Sequence, residues 1–378
     1  MARAGKRKTT GKASPAKRRA KKAKAAVRAK AAPAAGPVTL DEARALAAAK
    51  QPKLAARAVR KTAAPPASPA AVGAEREKLR EEQRDERARR ISEYKATMEI
   101  MKRRGARRPR SKAAKAADKA AGGEPTAKGG ESFDPLQIFA EGDSWFDYPV
   151  PFFGGGIIPR LEDRLGVPIL NLAKAGDEVR YMLGVEERMV LAEHLTNGSP
   201  AGGPWDVLLF SGGGNDIVDN PMALWVRDFD PAIPPAAHIH KARFEAALAL
   251  VRAGYEDLIG LRDSISPATH LVFHGYDFAI PDGRGICGFG PWLKPTFDLR
   301  KFPTRAAMEA VVKAMLEQFA VMLTSLAGPT VTFINTQSTL VPQPSSWHNE
   351  LHPARAGFGK FADLFQLKLK ALFPDRVA

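Results

Sequence analysis

The run Leu136-Gln-Ile-Phe-Ala140, apolar at four of its five positions, stops abruptly at Glu141-Gly-Asp-Ser-Trp145. A short apolar run that gives way to small and polar residues reads as a buried strand opening into a loop. The pattern returns four times: Pro168–Leu172 runs into Ala-Lys-Ala-Gly176-Asp177, and Trp205–Phe210 into Ser211-Gly-Gly-Gly-Asn215-Asp-Ile217. His270–Phe273 runs into His274-Gly-Tyr-Asp277, and Thr330–Ile334 leads through a Pro/Ser loop to Trp347-His-Asn-Glu-Leu-His352-Pro353. Helical periodicity fills the intervals, over Ile158–Leu165, Val179–Leu195, Lys241–Leu261, Thr304–Leu326 and Ala354–Leu372. On the third of these, Phe244, Leu248, Val251, Tyr255 and Leu258 share one face. Strands alternating with helices imply an α/β fold, a five-stranded parallel sheet covered on both faces. In such sheets ligands bind beyond the carboxyl ends of the strands, so the residues just after each strand are the ones to read for chemistry.

The charge is uneven. Of 58 Lys+Arg and 41 Asp+Glu in 378 residues, 37 basic and 13 acidic residues fall in Met1–Phe133, leaving Asp134–Ala378 mildly acidic. Met1–Leu40 carries 13 basic residues and no acidic one. Such a chain cannot bury enough apolar area to offset its ordering entropy, so residues 1–74 are expected to form a disordered Lys/Arg/Ala/Pro-rich arm. Its charge suits a polyanion (DNA, RNA, polyphosphate) held by counterion release, with a solubilising tail as the plain alternative. The cluster Lys17-Arg-Arg-Ala-Lys-Lys22 also fits a nuclear address. Residues 75–106 read as a charged amphipathic helix whose narrow stripe is Ile91, Tyr94, Met98 and Met101, and 107–133 as a linker. The body is then 134–378, and a site lying wholly within it should work without Met1–Gly130.

A single cysteine, Cys287, excludes a disulfide framework and a multi-Cys zinc site. No His-Glu-x-x-His spacing is present, so neither metal nor cofactor is expected. The basic start lacks the apolar core of a signal peptide, and no run approaches the length of a membrane span. A soluble protein of the cytoplasm is the expectation.

Gly142-Asp143-Ser144, Gly176, Gly214-Asn215-Asp216 and His352-Pro353 occur in the order of the four blocks of the SGNH (GDSL-type) hydrolases, which the stretch Leu136–Leu372 resembles. The resemblance implies a three-layer, flavodoxin-like fold and hydrolysis of an ester, in a small molecule or an acylated polymer. A serine hydroxyl is a poor nucleophile until a base takes its proton. Ser144 would attack and His352 would be the base. The N–H groups of Ser144 and Gly176 and the side-chain amide of Asn215 would hold the oxyanion, where losing one donor costs about 10²–10³ in turnover. Asp143, Trp145, Asp216 and Tyr276 are candidate substrate contacts, and a bulky side chain at 176 would crowd the acyl group. The sequence departs from the family at one point: the acid expected three residues before the histidine is Asn349. A Ser-His-Asn arrangement, a Ser-His dyad with a backbone acceptor, and an acid from elsewhere all satisfy the sequence. The neighbouring Glu350 is expected to point away, and His348 is the rival base.

Trp145, Phe146, Tyr148, Phe152 and Phe153 suit an acyl or aryl pocket, or ordinary core. His274 and Asp277 suit a structural or pocket-shaping role. Asp219–His240 and Pro281–Pro303 are insertions where specificity can reside. Two other function classes fit parts of the pattern. One is a phosphate-binding module, from Gly212-Gly-Gly-Asn-Asp, although the Lys-Ser/Thr ending of a phosphate loop is missing. The other is a catalytically weakened scaffold serving the basic arm.

Overall fold

The computed structural model describes residues 36–50, 69–107, 132–148, 155–286 and 288–377. At its centre are five parallel strands: β3 (Ile138–Gly142), β4 (Ile169–Asn171), β5 (Val207–Ser211), β6 (His270–His274) and β7 (Val331–Ile334). Their spatial order is β4-β3-β5-β6-β7. Renumbered within the sheet this is 2-1-3-4-5, the doubly wound order whose switch point lies between the first and third strands. All five positions of both β3 and β5 are buried, as expected of central strands covered on two faces.

The periodic stretches form helices. Ile157–Leu165 is α3, Lys241–Ile265 is α6, Arg305–Thr324 is α8 and Arg355–Leu372 is α9. The stretch expected as one helix from Val179 is two, α4 (Val179–Met182) and α5 (Val185–Asn197), broken at Gly184. The insertion Pro281–Pro303 contains a short helix, α7 (Lys294–Leu299).

The N-terminal region departs most from its sequence reading. Within the stretch expected to be disordered, Leu40–Ala48 forms helix α1. Thr39 and Glu42 close its first turn with a reciprocal capping box. Leu40, Ala43 and Ala47 are buried, and Arg44 reaches Glu162 of α3 at 2.7 Å. The charged helix, α2, runs from Pro69 to Arg104 and packs against α1 and β4. Of its stripe, Tyr94, Met98 and Met101 are buried and Ile91 is half-buried; Ile100 is buried beside them, and the Tyr94 ring lies 5.6 Å from that of Trp205. Each such side chain contributes about 1.5–3 kcal/mol when fully buried, so α2 is part of the core rather than an appendage. Lys102 fastens its far end to Gln137 Oε1 (2.9 Å) and to the carbonyls of Ala201 and Gly202. Beyond α2, β1 (Ala106–Arg107) pairs antiparallel with β2 (Ser132–Phe133). Residues 1–35, and most of the stretch read as a linker, lie outside the described residues.

Candidate active site

The chain turns sharply where β3 ends. A Cβ on Gly142 would lie 2.5 Å from the carbonyl oxygen of Ser211, so only glycine lets β3 and β5 meet here. The Asp143 amide then donates to that same oxygen at 3.0 Å. The Asp143 carboxylate turns inward: it accepts from the Trp145 amide (2.9 Å), Ser211 Oγ (2.7 Å) and the Tyr276 hydroxyl (2.5 Å). Burial pushes this acid up to about 6 against the pull of those three donors. Ser211 Oγ also lies 2.8 Å from Nε2 of His274, whose Nδ1 donates to the Gly275 carbonyl at 2.6 Å. Asp143 thus shapes the turn that presents Ser144, a framework role where the sequence suggested a substrate contact.

His352 meets Ser144 from the opposite side of the crevice, its Nε2 2.6 Å from Ser144 Oγ. The loop before α9 is folded tightly on itself. The His348 amide donates to the His352 carbonyl at 2.8 Å, and Trp347 bridges to Pro353. Asn349 is fully buried, and its Oδ1 accepts from the amides of Leu351 (3.0 Å) and His352 (2.8 Å) and from His352 Nδ1 (3.0 Å). Two backbone donors identify that atom as the oxygen. Nδ1 of His352 must therefore carry a proton, which leaves Nε2 bare to accept from Ser144. Of the three arrangements open to the sequence, the described residues form Ser-His-Asn.

The Asn349 amide nitrogen donates to the Tyr148 hydroxyl at 3.2 Å, and that hydroxyl lies 2.7 Å from His348 Nδ1. The Tyr148 ring stacks on His352, with centroids 4.4 Å apart and planes at 25°. Burial, with the His348 charge acting in the same direction, holds the His352 imidazole down to about 3. His348, the rival base, is placed on Tyr148 rather than on Ser144. Glu350 points away as expected. Its carboxylate takes the amides of Gly283 (2.9 Å), Trp292 (2.6 Å), Leu293 (2.7 Å) and Lys294 (3.0 Å), tying the Pro281–Pro303 insertion and the start of α7 to the histidine loop.

Gly176 sits at φ +87°, which L side chains adopt only under strain, although a Cβ there would meet nothing within 4 Å. Backbone geometry alone therefore favours glycine here. Among the described residues the backbone N–H groups of Ser144 and Gly176 have no acceptor. Asn215 donates from Nδ2 to the Asp177 carbonyl at 2.9 Å, which fixes the amide and leaves its second hydrogen for another acceptor. Asp216, expected to touch substrate, instead accepts from the Val179 amide at 2.9 Å and caps α4. Burial raises its pKa against that bond.

Ser144, Asn215 and His352 open onto a cavity of about 560 Å³ including its mouth. Its far wall is apolar, built from Ile217, Val218, Ala279, Val312, Met315 and Leu316. Tyr276 and Trp145 contribute rings to the wall, but their polar atoms are committed, Tyr276 to Asp143 and the Trp145 indole to the Leu351 carbonyl (3.2 Å). Trp145, Phe146 and Tyr148 are buried and pack on α9 through Phe358, Phe361 and Phe365. Phe152 and Phe153 lie outside the described residues. Asp277 organises the loop after β7, accepting from the amides of Ser338 and Leu340, both at 2.7 Å. The α8 wall and the Tyr148 stack escaped the sequence reading, because an apolar helix stripe and one tyrosine carry no local mark of a site. No group of three or more metal-ligating side chains occurs among the described residues, and no described helix is long and apolar enough to cross a membrane.

No family model and no curated protein matches the sequence. Among solved structures, a lipase, Lip_vut3, from a goat rumen metagenome is 16% identical. It covers 61% of this chain and 96% of its own at a TM-score of 0.42. An extracellular lipase from Streptomyces rimosus is 17% identical over 61% of this chain and 99% of its own, with a TM-score of 0.37. A carbohydrate esterase family 3 protein from Talaromyces cellulolyticus is 13% identical over 64% and 99%, with a TM-score of 0.35. Likenesses this distant say nothing by themselves about what this chain does.

Proposed function

We propose that the protein is a serine hydrolase that cleaves esters whose acyl group is apolar. The observation that carries this reading is the 2.6 Å contact between Ser144 Oγ and His352 Nε2, with the histidine tautomer dictated by Asn349. Ser144 Oγ bonds to the acyl carbon as its proton passes to His352 Nε2. The carbonyl oxygen, now anionic, draws on the N–H groups of Ser144 and Gly176 and the Asn215 amide. Collapse of this intermediate expels the alcohol, which takes the proton from Nε2. Water then repeats the sequence on the acyl-enzyme, His352 taking the proton of the water and returning it to Ser144. Tyr148 offers a π face to the imidazolium that forms in each half-reaction, where Asn349 supplies no charge.

The apolar far wall of the cavity favours a hydrocarbon acyl chain over an acetylated sugar, since each buried methylene contributes about 0.8 kcal/mol. Hydrolysis of a p-nitrophenyl ester series from acetate to decanoate tests this. The expected kcat/KM rises with chain length to a medium-chain optimum and is abolished in Ser144→Ala and His352→Ala. A folded wild type inert towards every ester would refute it, and would favour a scaffold whose catalysis Asn349 has weakened. Polyanion binding by the basic arm is a separate proposal, supported by the composition of Met1–Leu40.

A further inference from the structure

Among the described residues β4 is an edge strand, its outward carbonyls without a strand partner. The Leu172 and Lys174 amides turn inward to the carbonyls of Ala140 and Gly142, both at 2.8 Å. The alternating geometry of the strand then directs the carbonyls of Asn171 and Ala173 outward. Arg90 of α2 occupies that edge. Its Nη1 donates to Asn171 O and Ala173 O, each at 3.0 Å, while Nη2 donates to Asp147 Oδ1 at 3.0 Å and Nε to Glu86 Oε1 at 2.9 Å.

The residues so joined belong to two different parts of the site. Asn171 and Ala173 begin the loop that carries Gly176, and Asp147 closes the turn that carries Ser144, its amide donating to Asp143 O at 3.0 Å. A second link runs parallel, from Asn171 Nδ2 to the Phe146 carbonyl at 3.2 Å. One planar guanidinium from a distant helix therefore spans both walls of the switch-point crevice, and its fixed fork suits a set of acceptors that a lysine ammonium would hold less rigidly.

We infer that Arg90 is a positioning residue for the proposed hydrolysis, holding the Gly176 loop and the Ser144 turn in register, so that the N-terminal helix is a working part of the site. This rests on the serine hydrolase reading for its chemistry but on its own contacts for its geometry. It reverses the sequence expectation that Met1–Gly130 is dispensable. Displacing a catalytic group by about 1 Å costs on the order of 10²-fold in rate.

The test compares full-length wild type, Arg90→Ala, Arg90→Lys and Arg84→Ala. Arg84 is exposed on the same helix and, among the described residues, pairs locally with Glu77 at 3.0 Å. For Arg90→Ala, kcat on a p-nitrophenyl ester should fall about 10–100-fold with KM little changed, and added ethylguanidinium should restore part of the loss. Arg90→Lys should fall between, and Arg84→Ala should match wild type. Amide hydrogen exchange at 171–177 and 143–147 should speed up in Arg90→Ala, a readout that stands whether or not any ester is turned over. Wild-type kcat and unchanged exchange in a folded Arg90→Ala would overturn the inference. So would a loss of kcat that follows only the melting temperature and resists guanidinium. If Arg90→Ala does not fold, Arg90→Lys carries the test, and wild-type kcat with wild-type exchange there overturns it. An inert wild type with accelerated exchange in the variant would instead count against the hydrolase reading alone.

Discussion

Replacing Asn349 by Asp asks what the neutral third residue costs. The site is ready for a carboxylate: two backbone amides already point at Oδ1, and the Tyr148 hydroxyl, now an acceptor from Nδ2, can turn to donate. The variant should therefore fold. With Oδ1 3.0 Å from His352 Nδ1, the centres of charge would lie roughly 4 Å apart. That corresponds to about 4 kcal/mol at an effective dielectric near 20, less what burying the new charge costs. A neighbouring carboxylate typically raises an imidazole by about 1–3 pK units. On the proposed mechanism, wild-type His352, held down to about 3, stays neutral at pH 5, so kcat/KM should persist well below the limb of an ordinary histidine. In Asn349→Asp the acid limb should move up to about pH 4–6. At pH 7 both enzymes hold His352 neutral, so the comparison there isolates transition-state stabilisation of the imidazolium. If about half of the shift is expressed at the barrier, kcat rises about 3–30-fold. The assay is the pH profile of p-nitrophenyl butyrate hydrolysis from pH 3 to 9, with circular dichroism at each pH. An unmoved acid limb together with an unchanged or lower rate at pH 7, in a folded variant, would refute the electrostatic reasoning.

Three further outcomes follow from other parts of the molecule. Gly142→Ala places a methyl 2.5 Å from a backbone oxygen of the neighbouring strand, so it should cost at least about 1–3 kcal/mol; a melting temperature equal to wild type would contradict this. Burial pushes buried Glu141 up to about 8 from 4.5. Between those values the unfolded chain ionises while the folded chain does not, so wild-type stability from this group falls as pH rises. Glu141→Gln should then gain on wild type from pH 4.5 to 8 and level off beyond, as read by urea denaturation, and a constant difference across that range would be the contrary result. Retention of the full chain on heparin should fall steeply with salt and disappear when residues 1–35 are removed, whereas salt-insensitive binding would point to a surface of the body.

The sheet was legible because every strand is a short, largely apolar run closed by small or polar residues, and the loops after the strands carry the side chains that meet in space. Ser144, His352 and Asn349 were named from sequence, and the structure places the three in hydrogen-bonding sequence. What the sequence concealed was direction. Asp143 and Asp216 follow strands as substrate-binding carboxylates would, yet both turn to the protein's own amides and hydroxyls. A loop carboxylate satisfies backbone donors as readily as it meets a ligand, and residue type does not distinguish the two. Gly176 is held at a positive φ, a backbone reason for glycine that residue type and spacing do not reveal. The stretch expected as a charged helix over 75–106 is helical from Pro69 to Arg104, and its stripe does not say what covers it. Arg90 was invisible for a sharper reason: two of its acceptors are main-chain carbonyls, which every sequence possesses.

Activation of one hydroxyl by one imidazole can be read out with a fluorophosphonate probe. Folded wild type should take up a single adduct, located by peptide mass spectrometry on Ser144, and labelling should vanish in Ser144→Ala and be nearly lost in His352→Ala. A folded protein that takes no label, or takes it on another residue, would rule out a Ser144 hydroxyl activated by His352.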